Sequence, residues 1–230
     1  MSKKFELTTD TKTWIGRKLF RIRALISFGD VKEGELGGYI EKEENLDHNG
    51  NAWVYGNAWV YGNAQVYGNA QVSDNAWVYG NAWVYGNAQV YGNAQVSDNA
   101  RVSGNAWVSD NAWVYDNARV SDNAWVSDDA LVSGDARVFG DARVSDNARV
   151  SDDADYTTIK GFGTEFRTTT FFRCKGGSIG VRCGCFYGNL DQFRDQVKRT
   201  REGKIAEEYL MIAGLMEKHF KEEQKNGNDL

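Results

Sequence analysis

Apolar residues recur at two fixed positions of a six-residue pattern that begins at Asn51. Alanine takes the second position of each hexad from Ala52 to Ala154, and valine takes the fourth from Val54 to Val150. A period of six fits neither a 3.6-residue helix nor a heptad, but it fits a four-residue strand followed by a two-residue corner. Alternate strand residues point to opposite sides, so alanine and valine point inward together. The pattern predicts short strands wound around a narrow core.

The polar positions of the hexad predict its corners. Glycine or aspartate followed by asparagine or aspartate closes each hexad and opens the next. These residue types tolerate a left-handed backbone, which a tight corner requires. If three hexads make one coil, the eighteen hexads from Asn51 to about Thr158 give six coils. At about 4.8 Å per coil, the resulting prism is roughly 29 Å tall.

Valine followed four residues later by alanine, as in Val54-Tyr55-Gly56-Asn57-Ala58, resembles the hexapeptide repeat of left-handed parallel β-helices. The resemblance covers about 106 of 230 residues. It implies an all-β solenoid, namely a left-handed parallel β-helix of about six triangular coils. The left-handed path comes from the resemblance alone, because the general rule for parallel crossovers favours a right-handed one. Many members of this superfamily are acyltransferases, and trimers are common among them.

The flanking segments have different patterns. Residues 1–50 are expected to form an N-terminal β cap, with a strand in 18–25, and solenoids need such caps over their end strands. Leu36 falls in the valine register, whereas Ile40 and Leu46 fall in the alanine register, which predicts an irregular first coil. The regular β-helix is assigned to residues 51–156.

Residues 157–230 are expected to form a small C-terminal α+β module. Segments 168–174 and 178–185 predict a β-hairpin around Lys175-Gly176-Gly177. Two amphipathic helices follow, over 190–201 and 205–221, and Asn189 is a suitable N-cap for the first.

Two short motifs outside the repeat carry a narrower resemblance. Gly37-Gly38-Tyr39-Ile40-Glu41 before the repeat and Cys183-Gly184-Cys185-Phe186 after it resemble uncharacterised hexapeptide-repeat proteins of bacteriophages and prophages. That resemblance implies a bacterial host cytoplasm and no agreed activity. In such a setting, the partner would be a virion component or a host protein, including a defence protein that it blocks.

Counting every third hexad sorts the outward residues onto three faces. The first face carries Trp59, Trp77, Gln95, Trp113, Leu131 and Arg149, flanked by Tyr61, Tyr79 and Tyr115. The second face carries Gln65, Trp83, Arg101, Arg119, Arg137 and Asp155. The third face carries Trp53, Gln71, Gln89, Trp107, Trp125 and Arg143.

These faces hold the candidate binding residues. Those residues are the aromatic wall of the first face, Trp59, Trp77, Trp113, Tyr61, Tyr79 and Tyr115, and the arginine ladder of the second, Arg101, Arg119 and Arg137. Aromatic side chains stacked about 4.8 Å apart stabilise the coil by themselves. Alternatively, so large an apolar patch is an interface, for a homotrimer or a protein partner. A carbohydrate-stacking platform is a third interpretation.

Charge is distributed unevenly along the repeat. Residues 51–104 have a net charge of −1, whereas residues 105–156 hold eleven aspartates against four arginines, a net charge of −7. Most of these aspartates lie at predicted corners. They are interpreted as solubilising groups that pair with arginines of neighbouring coils. The alternative is an acidic rod that attracts a basic partner.

The chemistry expected of an enzyme is sparse. His48 is the one credible general base for an acyl-CoA-dependent acyltransferase, since His219 lies near the end of the last predicted helix. Cys174, Cys183 and Cys185 do not match a standard zinc pattern, and we interpret them as small buried hydrophobic residues. No catalytic residue, cofactor or metal site is therefore predicted unless His48 serves an acyltransferase.

Composition narrows the setting and the function. The chain has a net charge of −5, three cysteines and no long apolar run, and its start lacks the apolar stretch of a signal peptide. These features favour a cytoplasmic protein that does not bind a membrane, and they make direct binding of nucleic acid unexpected. The sequence predicts a non-enzymatic scaffold or interaction protein whose β-helix faces bind a second copy or a protein partner. An acyltransferase is the alternative.

Overall fold

The two apolar columns of the repeat form the core of the protein. In the computed structural model, which describes residues 3–222, the alanines from Ala52 to Ala148 and the valines from Val54 to Val150 are all 0–1% exposed. Their side chains form one continuous apolar interior that also includes Phe5 and Ile22 of the N-terminal cap. The prediction that alanine and valine point inward together is confirmed.

The chain forms a parallel β-solenoid of about six turns with a small C-terminal module of sheet and helices, as predicted. An N-terminal cap has three strands, Phe5–Trp14 (β1), Arg17–Ala24 (β2) and Leu36–Ile40 (β3), and a 3-10 turn at Glu43–Asn45. The solenoid strands, β4 to β20 in chain order, are Trp53–Val54, Trp59–Val60, Gln65–Val66, Gln71–Val72, Trp77–Val78, Trp83–Val84, Gln89–Val90, Gln95–Val96, Arg101–Val102, Trp107–Val108, Trp113–Val114, Arg119–Val120, Trp125–Val126, Leu131–Val132, Arg137–Val138, Arg143–Val144 and Arg149–Val150. The left-handed path of the coil stays a prediction.

A left-handed backbone residue turns the chain at each corner. The glycines and aspartates that end the hexads from Gly56 to Asp146 have positive φ, between +56° and +73°. Gly80 needs to be small as well, because a β-carbon there would lie 2.8 Å from the backbone nitrogen of Asp98 in the next coil. The corner prediction is confirmed, and it explains the absence of β-branched residues at these positions.

The asparagines that open the hexads form hydrogen-bonded amide ladders along the corners. In one ladder, each Nδ2 donates to the Oδ1 of the residue one coil above at 3.1–3.2 Å, through Asn63, Asn81, Asn99, Asn117 and finally Asp135. Two parallel ladders end at Asp129 and Asp141 in the same coil. A terminal residue only has to accept, so a carboxylate suits that place.

This polarity predicts different outcomes for exchanging asparagine and aspartate in the middle and at the end of the ladder. Asn99→Asp removes the donor to Asn117 Oδ1 and places a carboxylate against it, so we expect the free energy of unfolding to fall by about 1–2 kcal/mol. Asp135→Asn keeps the acceptor at the top of the ladder, so we expect a change within about 0.5 kcal/mol. Urea denaturation at pH 7 measures both variants, and equal losses of stability would contradict the ladder.

The first coil is irregular, but its register differs from the predicted one. Ile40 pairs with Val60, and Leu46 bridges Val66, so both occupy the valine column. Leu36 is half exposed, and its assignment to that column was wrong. The chain between Leu46 and the next coil is two residues longer than the repeat requires. Counting back from the repeat in steps of six therefore assigns the wrong register to residues before this segment.

The N-terminal cap supplies donors to the end of the solenoid. Within the coils, each strand donates its backbone N–H groups to carbonyl oxygens one coil above, as from Trp53 N to Ala70 O, so the first coil has carbonyl groups with no coil below. Tyr39 N donates to Ala58 O at 2.9 Å. Side chains complete the set: Asn45 Nδ2 donates to Ala64 O and Lys4 Nζ to Ala52 O, both at 2.8 Å.

Burial of the Lys4 ammonium predicts a rise of stability with pH. Lys4 is 1% exposed, and burial lowers its pKa from 10.5 to about 8. The unfolded chain therefore binds more protons than the folded chain above pH 8, so the free energy of unfolding increases with pH. Between pH 7 and 9.5, we expect Lys4 to contribute a gain of up to about 2 kcal/mol. The buried Cys174 thiol offsets part of this gain, because burial raises its pKa and the unfolded chain releases that proton first.

The control is Lys4→Met, which should lack this rise, and chemical denaturation at several pH values compares the two proteins. Measurements stop at pH 9.5, because burial raises the pKa of Tyr61 to about 12. Phenols of the unfolded chain ionise from about pH 10, and the folded state is then destabilised. A Lys4→Met profile identical to that of the wild type would contradict the role assigned to Lys4.

The C-terminal end of the solenoid has unpaired backbone donors, and hydrogen-bond acceptors close it. The last coil has N–H groups with no coil above, and oxygen atoms accept from them: Asp153 Oδ1 from Arg137 N at 2.8 Å, and Thr170 Oγ1 from Arg143 N at 3.0 Å. Asp155 Oδ2 accepts from Ser151 N in a 3-10 turn, Asp153–Asp155. The prediction that Asp155 extends the second face was therefore wrong.

The C-terminal module consists of a four-stranded antiparallel sheet and two helices. The strands are Tyr156–Phe162 (β21), Arg167–Arg173 (β22), Ile179–Cys183 (β23) and Phe186–Asn189 (β24), and the helices are Leu190–Thr200 (α1) and Gly203–Glu222 (α2). The hairpin and both helices were predicted, whereas β21 and β24 were not. Asn189 Oδ1 accepts from Gln192 N at 2.9 Å, which confirms the predicted N-cap.

Candidate protein-binding faces of the solenoid

The three faces predicted by counting every third hexad are the three parallel sheets of the solenoid. Trp59, Trp77, Gln95, Trp113, Leu131 and Arg149 pair in register along the first face. Gln65, Trp83, Arg101, Arg119 and Arg137 do so along the second, and Trp53, Gln71, Gln89, Trp107, Trp125 and Arg143 along the third. Each strand on a face is called a rung below.

The lower half of the first face is covered by the N-terminal cap. Trp59 and Trp77 stack at 5.1 Å, and Trp14 from the β1–β2 hairpin packs edge-on against both rings at 5.9 and 5.3 Å. Tyr61 and Tyr79 also stack at 5.1 Å. This part of the predicted aromatic wall therefore packs within the chain.

The upper part of the aromatic wall is more open. Trp113 is 36% exposed, tilts against Tyr115 at 4.8 Å and donates from Nε1 to Ser97 Oγ at 3.2 Å. Leu131 and Arg149 follow above it, both partly buried. The Arg149 guanidinium donates to two backbone carbonyl groups, so it too is engaged within the chain.

Both ends of the third face are occupied by the flanking segments. Trp53 was predicted to point outward, but it is fully buried, because Phe5 and Phe28 of the N-terminal cap pack edge-on against its ring at 6.3 and 5.4 Å. At the other end, Arg143 lies over the Trp125 ring at 5.0 Å. These two side chains form one wall of a groove of about 770 Å³ whose other wall belongs to the C-terminal sheet.

The second face differs from the other two because every outward strand residue on it is exposed. Gln65, Trp83, Arg101, Arg119 and Arg137 all belong to this class, whereas most of their counterparts on the other faces are partly or fully buried. The Arg101 guanidinium lies 4.9 Å from the centre of the Trp83 ring. Along the next column, Tyr67 and Tyr85 stack at 4.9 Å, Ser103 and Ser121 follow, and Phe139 ends the column 56% exposed.

The arginines of the second face do not pair with the corner aspartates, as the sequence had suggested. Among residues 3–222, the ion pairs of the solenoid join Asp141 to Lys160 and Asp155 to Arg173 of the C-terminal module. The corner carboxylates accept from their own chain instead: Asp116 Oδ2 accepts from the backbone N–H of Gly134, one coil above. The predicted pairing of arginine with aspartate between coils was wrong, so the guanidinium groups remain available.

An open cavity of about 540 Å³ lies at the N-terminal end of the second face. It is bounded by the turn formed by residues 43–47, here called the acidic turn, and by Tyr67 and Trp83. Hydrogen bonding to Lys3 lowers the pKa of the Glu43 carboxyl, so it is ionised at neutral pH. Glu44 and Asp47 add two more carboxylates. The cavity therefore combines negative charge with aromatic walls, a combination suited to a guanidinium group.

His48 also borders this cavity, but its hydrogen bond does not suit a general base. Nδ1 accepts from the backbone N–H of Lys4 at 3.1 Å, so the proton of the neutral ring resides on Nε2. Nε2 lies 3.6 Å from Glu43 Oε2, and the ring stacks on Phe5 at 4.3 Å. A base needs an unprotonated nitrogen that reaches the substrate. The geometry assigns His48 to fastening the cap onto the first coil.

The cysteines occupy three different environments. Cys174 is buried and Cys183 is half-buried on β23, where its sulfur accepts from Thr169 Oγ1 at 3.1 Å. Cys185 is exposed in the turn before β24, so the prediction of burial was wrong for this residue. In the part of the chain from 3 to 222, no three Asp, Glu, His or Cys side chains are grouped to hold a metal ion. None of the helices described here is long and apolar enough to cross a membrane.

The sheets, corner ladders and end caps define a β-solenoid repeat protein. Comparison with known families agrees: five segments match the YdcK Beta solenoid repeat, at residues 64–78, 70–86, 94–110, 112–128 and 142–154. The matched segments all lie in the regular coils. No curated protein matches the chain.

Proposed function

We propose that the protein is a non-enzymatic scaffold whose second face binds another protein chain. One observation carries the proposal: all outward strand residues of this face are exposed, while the chain covers much of its first and third faces itself. Exposed arginine and aromatic residues are the types that contribute most to protein interfaces. The solenoid contributes a rigid, in-register arrangement of these side chains.

The resemblance to phage and prophage hexapeptide-repeat proteins supports a bacterial cytoplasm as the setting. There, the partner is a second copy, a virion component or a host protein. An acyl-CoA-dependent transferase receives less support, because the hydrogen bond from Lys4 N to His48 Nδ1 occupies the lone pair that a base would use.

Site-specific photo-cross-linking tests this proposal. A benzoylphenylalanine at position 121, on the second face, should give a covalent adduct with another protein chain in bacterial cells that express the protein. Trp83→Ala or Arg119→Glu in the same chain should reduce that adduct by at least about tenfold, since large aromatic and arginine side chains anchor interfaces. The matched control is position 127, the equivalent serine column on the third face.

A strong adduct at position 127 with none at position 121 would contradict the proposal. An adduct at position 121 that is unchanged by Trp83→Ala and by Arg119→Glu would also contradict it, because contact would then not depend on the side chains of the face.

A further inference from the structure

We infer that the chain bound to the second face is a second copy of this protein, with the two solenoid axes antiparallel. This inference rests on the proposed function of that face and names its partner. The two copies would be related by a two-fold axis parallel to the strands, which passes between the rungs of Trp83 and Arg101. Such an interface uses the same surface on both copies.

A parallel arrangement is disfavoured by charge. If the two-fold axis ran along the solenoid axis, each rung would face its own counterpart, and Arg101, Arg119 and Arg137 would each meet the same residue of the other copy. Like charges placed directly opposite each other are destabilising, and these guanidinium groups have no ion-pair partner among residues 3–222 that would offset the repulsion.

The antiparallel arrangement brings unlike residues together at every rung. Arg101 meets Trp83, and Arg119 meets Gln65. Arg137 meets the acidic turn, which precedes the Gln65 rung because Leu46 bridges Val66. The face is acidic at one end, aromatic near the middle and basic at the other end. Two copies of the face are therefore complementary when one of them is reversed.

Side-chain size is complementary in the same arrangement. The column beside the arginines holds large residues in the lower coils and small residues above them, so Tyr67 meets Ser121 and Tyr85 meets Ser103.

The charges at the corners are also compatible with this arrangement. Asp98 faces Gly80, Asp116 faces Gly62 and Asp122 faces Gly68, so these three carboxylates oppose no other carboxylate. Asp135, on the Arg137 rung, is the exception, because it lies opposite the acidic turn.

The cavity at the acidic turn then receives the far end of the partner's face. Phe139 is the most exposed aromatic side chain of the solenoid and is adjacent to Arg137 on that rung. The cavity offers Tyr67 and Trp83 for contact with a ring and the carboxylates of Glu44 and Asp47 for a guanidinium group. An aromatic side chain and an arginine placed together in a pocket are typical anchors of an interface.

The size of the face indicates a reversible dimer. Six rungs at about 4.8 Å and a width of about 15 Å give roughly 900 Å² of total buried surface for two copies, in the range of weak, transient interfaces. We therefore expect a dissociation constant on the order of micromolar that rises with salt.

Charge exchange tests the pairing. Sedimentation velocity from about 1 to 500 μM in low salt should show a monomer of 25.8 kDa in equilibrium with a dimer of twice that mass. Arg137→Glu alone and Glu44→Arg alone should each raise the dissociation constant by about tenfold or more. The double variant restores opposite charges at both contacts of the dimer, so its dissociation constant should return to within about threefold of the wild type. Arg143→Glu, on the third face, is the matched control and should change nothing.

A protein that remains monomeric at every concentration would overturn the inference, as would a trimer or a double variant as weak as the single ones. The proposed function is tested separately from the self-pairing. If position 121 cross-links to a different protein while the purified chain is monomeric, the second face binds a partner, and only the self-pairing is wrong.

Discussion

Deleting a single hexad, residues 87–92, is expected to transfer the charged contact of the dimer from Arg137 to Arg143 while the chain remains folded. The six-residue deletion moves every later hexad by one face, so Arg119 and Arg137 leave the second face for the first. Trp107, Trp125 and Arg143 take the vacated places, and Arg143 then meets the acidic turn of the other copy. In this deletion protein, Arg143→Glu should raise the dissociation constant by about tenfold or more, whereas Arg137→Glu should leave it within about threefold. Each hexad contributes the same inward alanine and valine, and both end caps keep the coils on which they dock, so the core is unaffected.

The matched control is deletion of a complete coil, residues 87–104. This eighteen-residue deletion removes the Arg101 rung but leaves the later hexads on their own faces, with Arg119 directly above Trp83. The shortened face is still complementary to its reverse, since Arg137 meets the acidic turn and Arg119 meets Gln65, now with Trp83 facing Trp83. We expect a dissociation constant within about tenfold of the wild type, measured by sedimentation velocity. In the eighteen-residue deletion protein, Arg137→Glu should weaken the dimer and Arg143→Glu should not, as in the wild type. A six-residue deletion protein whose dimer is still weakened by Arg137→Glu and not by Arg143→Glu would contradict the assignment of the second face.

Gly38→Ala is expected to give a large loss of stability from a single methyl group. A β-carbon on Gly38 would lie 2.6 Å from Ala58 O and 2.7 Å from Val54 Cγ1. The Ala58 carbonyl cannot retreat without losing its hydrogen bond from Tyr39 N. Overpacking of this kind costs about 3 kcal/mol, so the free energy of unfolding should fall by that amount and Tm by roughly 6–12 °C.

Gly214→Ala is the control, because no atom lies within 4 Å of the added β-carbon and the residue is inside α2. Alanine favours a helix over glycine, so this variant should be as stable as the wild type or more stable by up to about 1 kcal/mol. Thermal unfolding followed by circular dichroism compares the two variants. A Gly38→Ala protein with an unchanged Tm would show that β3 does not pack against the first coil as described.

Much of the fold could be predicted because local sequence decides it. Alanine and valine at fixed positions determine which side is buried, and the glycine or aspartate before each asparagine determines the corner, so three faces follow by counting. Counting fails where residues distant in sequence intervene. Trp53 follows the repeat pattern, yet Phe5 and Phe28 bury it, and nothing within its hexad indicates that these two residues are near.

The end caps show the same limitation. The parallel coils leave carbonyl groups at one end and N–H groups at the other, so donors at the first coil and acceptors at the last could have been anticipated. Which residues would serve could not, because Lys4 lies forty-eight residues before Ala52. The strand β1 was also missed, since its polar residues do not alternate with apolar ones as in the adjacent β2.

For the candidate site, the sequence identified the outward residues of each face, but it did not predict which groups surround them. The asparagine ladders have a sequence signal, asparagine at intervals of eighteen residues, which the corner interpretation did not use. Pairing of arginine with aspartate was expected from composition, but backbone N–H groups one coil above engage carboxylates such as that of Asp116 first. Exposure of the second face depends on where the two flanking segments fold. The sequence of the repeat does not indicate which faces those segments cover.

Cross-linking of two differently tagged copies by a short bismaleimide tests the central claim most directly. One copy carries Tyr67→Cys and the other Ser121→Cys, with Cys185→Ser in both to remove the exposed native thiol. In the antiparallel dimer, positions 67 and 121 face each other across sheets packed about 10 Å apart, a distance that suits a short bismaleimide better than a disulfide. The reagent should therefore link the mixed copies, while either variant alone should give no product. Efficient linking of the Ser121→Cys protein to itself, or no product from the mixture at concentrations where the dimer forms, would contradict the account.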